Sequence, residues 1–147
     1  MLQTTPTYKL STCMVEKTMT TLRTAISVFL ENPKLFENNY DNITMMNHER
    51  LRLVVNENRV FPNYTEARES VGKNATFFSI TRHPIDRFLS GYLDKCIVEA
   101  SKDYRCFGCN EDLNCFLEKL YEALWKTYNS ASRDYDYDLA HFAPQTW

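Results

Sequence analysis

Residues 75–98 set the strongest constraint on what this chain can fold into. Ala75-Thr76-Phe77-Phe78-Ser79-Ile80-Thr81 is aromatic and β-branched and reads as a buried strand. Arg82-His83-Pro84 breaks it. Pro84 at a first helical position and Asp86 in the first turn then open a helix. Ile85, Phe88, Leu89, Tyr92, Leu93, Cys96 and Ile97 sustain its 3.6-residue apolar face. A second block of the same kind lies at 8–31. Tyr8 to Val15 reads as a short, half-apolar strand, and Glu16 to Thr21 as a hydroxyl-rich turn. Leu22, Ala25, Ile26, Phe29 and Leu30 then follow helical spacing. Two strand–turn–helix blocks imply an α/β fold, a parallel sheet flanked by helices. Ligands in such sheets sit beyond the carboxyl ends of the strands, where both turns would lie.

The rest of the chain is less periodic. Asn32-Pro33 ends the first helix or starts a new turn, and residues 36–48 read as a polar, Asn-rich loop. Residues 49–59 fit helix or strand equally, and Phe61-Pro62-Asn63 reads as a turn. A Cys-rich loop is expected at 101–112. A third helix carries Leu113, Phe116, Leu117, Leu120, Tyr121, Leu124, Trp125 and Tyr128 on one face. Its aromatic stripe is expected to be core rather than an acceptor groove. Residues 129–138 are expected to be loop. A length of 147 residues favours one domain, read here as a single, partial one over 1–147.

Composition narrows the partners. The net charge of −2 excludes a strongly basic nucleic-acid-binding domain, so any anion site must be local. The 44% hydrophobic fraction opposes disorder as the main state. With 3 glycines, a Gly-rich dinucleotide turn is not expected. No apolar run is long enough to span a membrane. Three N-x-[ST] sequons, at Asn42, Asn63 and Asn74, and four late cysteines point to an oxidising, secretory compartment. Met1 to Pro6 lacks the pattern of a signal peptide, so the expected origin is a piece of a longer secretory-pathway protein.

The two turns carry the chemistry. A helix N-terminus offers unpaired N–H groups and partial positive charge. The first turn adds the Lys17 ammonium and the hydroxyls of Thr18, Thr20 and Thr21, a cradle for phosphate or sulfate. The second supplies the Arg82 fork, with Arg87 and Ser90 three residues apart on one helix face. The bland alternative is that these cations are solvated or paired with Glu16, Asp86 and Asp94. Cys106-x2-Cys109-x5-Cys115 lacks the second ligand pair of a zinc site, so no metal is expected. Cys96, Cys106, Cys109 and Cys115 are expected to form two disulfides in one of three connectivities. Cys13 is read as a buried free thiol or the partner of a cysteine elsewhere.

Cys13-Met14-Val15-Glu16-Lys17-Thr18-Met19-Thr20-Thr21 resembles the 5′-phosphosulfate loop of Golgi carbohydrate sulfotransferases. Arg82-His83-Pro84-Ile85-Asp86-Arg87-Phe88-Leu89-Ser90-Gly91-Tyr92 resembles their 3′-phosphate motif. The chondroitin 4-sulfotransferase and HNK-1 sulfotransferase group is the most similar. The resemblance covers residues 8–147 and implies a P-loop-like sulfotransferase fold, here incomplete. It implies sulfuryl transfer from PAPS (3′-phosphoadenylyl sulfate) to a hydroxyl of a glycan or proteoglycan in the Golgi lumen. By the same resemblance Lys17 and Thr21 meet the 5′-phosphosulfate, with Thr18 and Thr20 beside them. Arg82 and Ser90 grip the 3′-phosphate. Lys17 also neutralises the leaving phosphate, and His141 is chosen as the base over His48, His83 and Glu49. Glu16 stands where the family has proline. The rival readings are a non-catalytic remnant of that fold that binds an anion or glycan, and a plain disulfide-stabilised secreted domain.

Overall fold

The computed structural model describes residues 1–39, 59–99, 105–130 and 137–145. They fall into two compact units, Met1–Ile80 and Thr81–Trp147.

The first unit is built on a four-stranded sheet of order β3-β1-β2-β4. Its strands are β1 (Leu2–Thr5), β2 (Leu10–Cys13), β3 (Val60–Phe61) and β4 (Thr76–Phe78). β2 and β4 run parallel, as the two strand–turn–helix blocks imply, whereas β1 is antiparallel to β2 and to β3. The sheet is therefore mixed rather than wholly parallel. The hairpin between β1 and β2 turns through Pro6–Tyr8 and a left-handed Lys9, a turn that no glycine announces.

Alternation places helices on both faces. Gln3 and Thr5 meet Thr24 and Ser27 of α1 (Thr20–Glu31), and Thr4 meets Ser70 of a later helix. α2 (Pro33–Asn39) follows α1 directly, so the loop expected from residue 36 begins as helix, its first turn set by Pro33. Residues 40–58 lie outside the described residues. α3 (Tyr64–Val71) occupies a stretch with no strong apolar period. Its start is capped by a side chain: Asn63 Oδ1 accepts from Glu66 N–H at 3.0 Å, and Asn63 Nδ2 donates to Glu66 Oε1 at 2.7 Å. β4 is shorter than the expected strand over 75–81 and, contrary to expectation, largely exposed; among the described residues it pairs with β2 alone, at the sheet edge.

The second unit has an aromatic core. α4 (Pro84–Tyr92) starts at the proline that the sequence marks, and continues into a wider helical turn, Leu93–Val98. α5 (Leu113–Asn129) is capped by Asp112 Oδ1, which accepts from Cys115 N–H at 3.1 Å. α6 (Tyr137–Phe142) takes in the last two residues of the loop expected over 129–138, of which 131–136 lie outside the described residues. Phe88, Tyr92, Phe116 and Phe142 pack ring against ring, and Cys96–Cys106 and Cys109–Cys115 are the two disulfides. The expected Cys-rich loop holds a left-handed turn at Cys106, Phe107 and Gly108. Asp138 of α6 pins it by accepting from Cys106 N–H at 3.0 Å. Only part of the apolar face of α5 is core: Phe116 and Leu120 are buried, while Leu117, Tyr121, Trp125 and Tyr128 are exposed.

Candidate functional site

Parallel pairing is what makes a site at the first turn. The register Leu10↔Thr76, Ser11↔Phe77, Thr12↔Phe78 sends the carboxyl ends of β2 and β4 to the same edge of the sheet. The chain leaves β2 there through the turn at 14–19 and enters α1. Lys17 (φ 64°) and Met19 (φ 59°) both adopt the left-handed conformation without being glycine. Such residues persist only where their surroundings over-determine them. Here the hydroxyls of Thr18 and Thr20 are buried, and both donate to the Val15 carbonyl, at 2.7 and 2.8 Å. The two threonines therefore hold the turn in shape.

The turn presents α1 end-on. The cap residue Met19 makes no side-chain cap, and the first turn holds no acidic residue. The leading N–H groups of α1 and its positive dipole end are thus not neutralised by a carboxylate of their own helix. Lys17 and Thr21 are half-buried beside them. Glu16, the one carboxylate in the turn, exerts its attraction on the buried Arg23 of α1. Burial lowers the Arg23 pKa, and Glu16 only partly offsets this. This arrangement suits a dianionic group and opposes a cation.

The second motif lies in the other unit. Arg82 is exposed, and its peptide group is clamped by the Gln145 side chain. Arg82 N–H donates to Gln145 Oε1 at 3.1 Å, and Gln145 Nε2 donates to the Arg82 carbonyl at 2.8 Å. Ser90 is half-buried on α4. Arg87 takes a different place. It is buried, and its Nη1 and Nη2 donate to the carbonyls of Ala143 and Ala140 at 2.6 and 3.3 Å. It ties α4 to the C-terminal end of α6. Gly91, one turn on, lets Phe142 close in: a Cβ there would stand 2.8 Å from the ring. His83 caps α4 and is exposed; His48 and Glu49 lie outside the described residues. His141 is buried in α6 with Nδ1 2.6 Å from the Tyr137 carbonyl. A carbonyl only accepts, so Nδ1 carries the proton and Nε2 is the basic nitrogen.

The whole chain, residues 1–147, matches the model described as "Sulfotransferase family". This chain belongs to the sulfotransferase family. It is 32% identical over 154 residues to the putative sulfotransferase vep-2 of Caenorhabditis elegans, covering 100% of this chain and 47% of that protein. It is 31% identical over 150 residues to the carbohydrate sulfotransferase chst-1 of the same organism, covering 97% of this chain and 44% of that one. The chain thus spans less than half the length of these relatives. No solved structure matches it.

Three contributors were missed in the sequence. Gln145 clamps the Arg82 backbone from 63 residues away, and a lone Gln carries no local signal. Arg23 looks like any helical arginine, though it shares the buried side of α1 with Thr24 and Ala25. Gly91 is legible in principle: a glycine within an otherwise strong helix asks for a close neighbour. Among the described residues no group of His, Cys, Asp and Glu is arranged to hold a metal ion.

Proposed function

We propose that this chain carries donor-binding elements of a PAPS-dependent carbohydrate sulfotransferase, its two units being parts of one sulfotransferase domain. One observation carries the reading. In a sulfotransferase-family chain, the N-terminus of α1 has no side-chain cap and no first-turn acid, follows Lys17, and stands on the carboxyl edge of the parallel β2/β4 pair. These features fit the phosphosulfate end of PAPS, which supplies an activated sulfuryl group when bound. Lys17 and the leading N–H groups of α1 hold that end, and Thr21 adds a hydroxyl. Thr18 and Thr20 hold the turn that presents them. Arg82 and Ser90 take the 3′-phosphate, with the Gln145 clamp fixing where the Arg82 side chain begins. Lys17 stabilises charge gathering on the departing phosphate, the kind of preorganised stabilisation that dominates group transfer. His141, protonated on Nδ1, keeps the tautomer in which Nε2 can take the acceptor hydroxyl's proton.

The acceptor proposed is a glycan hydroxyl, in the Golgi lumen. The name of the chst-1 relative, the sequons at Asn63 and Asn74 and the two disulfides support that setting. The test is calorimetric titration of the folded chain with adenosine 3′,5′-bisphosphate, beside Lys17→Ala and Arg82→Ala/Ser90→Ala variants. Binding by the parent chain and a loss of tenfold or more in each variant is expected. A folded chain that binds no bisphosphate overturns the reading.

A further inference from the structure

The face of the sheet beneath α1 holds a second feature that the donor reading does not use. α1 lies over β1, through the contacts of Gln3 and Thr5, and reaches the end of β2 through Arg23 Nη1 and the Cys13 carbonyl. Toward the β4 edge it leaves a groove of about 180 Å³, lined among others by Thr12, Leu22, Arg23, Ile26, Phe78 and Ile80. The register puts Thr12 and Phe78 side by side on this face.

The groove combines an apolar rim with an unanswered charge. Leu22, Ile26 and Phe78 are each about two-fifths exposed, far more than large apolar side chains in a closed core. Arg23 is only 5% exposed. Its Nη1 donates to the Cys13 carbonyl at 2.6 Å, but its Nε and Nη2, and Thr12 Oγ1, have no hydrogen-bond partner among the described residues. A buried guanidinium without a carboxylate in contact is costly, and native proteins pair such groups. Glu16 acts on Arg23 only as a charge in its surroundings, with burial still the larger influence.

Size and setting decide what would fill the groove. Pockets for whole small molecules run to roughly 300–1,000 Å³. The present space of about 180 Å³ is better matched to a few side chains. Among the described residues β4 beside it is a sheet edge, the part of a sheet most ready to accept another strand. The matched relatives carry polypeptide to spare: more than half of vep-2 and of chst-1 lies outside the matched region.

We propose that this groove docks a polypeptide segment of the kind those relatives carry outside the matched region, one that lays apolar side chains against Leu22, Ile26 and Phe78 and presents an Asp or Glu carboxylate to Arg23. The segment covers the α1 rim and gives the guanidinium its missing acceptor. This does not rest on the donor reading, and bisphosphate binding and segment binding succeed or fail separately.

The test uses fluorescent 20-residue peptides tiled across the unmatched portions of vep-2 and chst-1, titrated by anisotropy against the 147-residue chain. At least one acidic peptide is expected to bind saturably. Replacing its Asp by Asn or Glu by Gln should weaken it tenfold or more, and so should Arg23→Met in the chain. Ile26→Asp, at an exposed position, should abolish binding while leaving the circular dichroism spectrum intact, and serves should Arg23→Met fold poorly. Two results overturn the proposal. One is that no tiled peptide binds the folded chain. The other is that only sodium hexanoate binds in an Arg23-dependent way, which would make the groove a small-anion pocket.

Discussion

Arg87 separates two meanings of one motif. Spacing puts it on the phosphate-facing side of α4, but the structure buries it and spends its guanidinium on the last carbonyls of α6. The perturbation is Arg87→Met, which keeps the aliphatic bulk and removes the fork. A hydrogen bond to a charged group contributes about 1.5–3 kcal/mol, and the contact with Ala143 at 2.6 Å belongs to that class. The contact with Ala140 at 3.3 Å is longer and adds less, on the order of 0.5–1 kcal/mol. Methionine leaves both carbonyls buried without that donor, so the expected loss is about 3 kcal/mol. In urea, with a slope of about 1.5–3 kcal/mol/M, the midpoint should fall by roughly 1–2 M at unchanged slope. Arg87→Lys retains the charge but not the fork, and should recover less than half of the loss. The assay is urea unfolding followed by near-ultraviolet circular dichroism, which reads the ring cluster of Phe88, Phe116 and Phe142. A change of less than about 0.5 kcal/mol, the range of an ordinary surface substitution, would refute the reasoning. So would unchanged stability with lost bisphosphate affinity, since Arg87 would then be a donor ligand rather than a strut.

Gly91→Ala places a methyl 2.8 Å from the Phe142 ring, which its neighbours hold in place. Overpacking costs about 1–3 kcal/mol and the helical gain of alanine returns up to about 1, so a net loss is expected in thermal unfolding; a gain would show that the ring yields. Asn63→Ala removes the cap of α3 and should cost about 1 kcal/mol by the same measurement; Asn63→Asp keeps the Oδ1 acceptor but sets a carboxylate against Glu66 Oε1, and should recover only part of that loss. Lys95 is buried, which alone would lower its pKa. Hydrogen bonds to Asp94, Glu99 and Tyr137 more than offset this and hold the ammonium above its ordinary 10.5. A raised folded-state pKa gives stability that is complete below the unfolded value and lost as pH rises through the folded one. The stability difference between the parent chain and Lys95→Met should thus be constant from pH 6 to 9 and shrink above about 10.5; a difference that shrinks toward acid would contradict the assignment.

What could be read from the sequence was what repeats locally. β2, α1, α4 and α5 are visible because each has a strand-like or 3.6-residue pattern with a turn or cap at its start. α3 and α6 are too short for a 3.6-residue pattern to stand out, and α6, with four of its six residues buried, is held by partners distant in sequence. For α6 those partners are the Arg87 fork and the bond from Cys106 N–H to Asp138, neither of which leaves a local trace. The stripe on α5 shows the converse limit. Periodicity reports that Tyr121, Trp125 and Tyr128 share a face, but not whether anything covers it, and here they are exposed. The candidate turn was legible as Lys17 with three threonines. The division of labour among those threonines was not, because it depends on where the Val15 carbonyl points.

That division of labour would let a chain with three glycines build the anion-binding turn proposed above. Glycine-rich phosphate loops use glycine to reach left-handed conformations at no steric cost and to bring N–H groups onto the ligand. Here Lys17 and Met19 adopt those conformations with side chains attached, against a bias on the order of 1–2 kcal/mol for each. Two buried hydroxyl bonds to one carbonyl, each contributing about 0.5–1.5 kcal/mol net, are of the size needed to offset it. The hydroxyls do for this turn what glycines do elsewhere, with a different consequence. A glycine loop is permissive and can shift, whereas a turn bolted to Val15 through Thr18 and Thr20 is fixed before any anion arrives. On the proposed donor reading, donor affinity should then depend on these threonines through the shape of the turn, since their hydroxyls donate to the Val15 carbonyl.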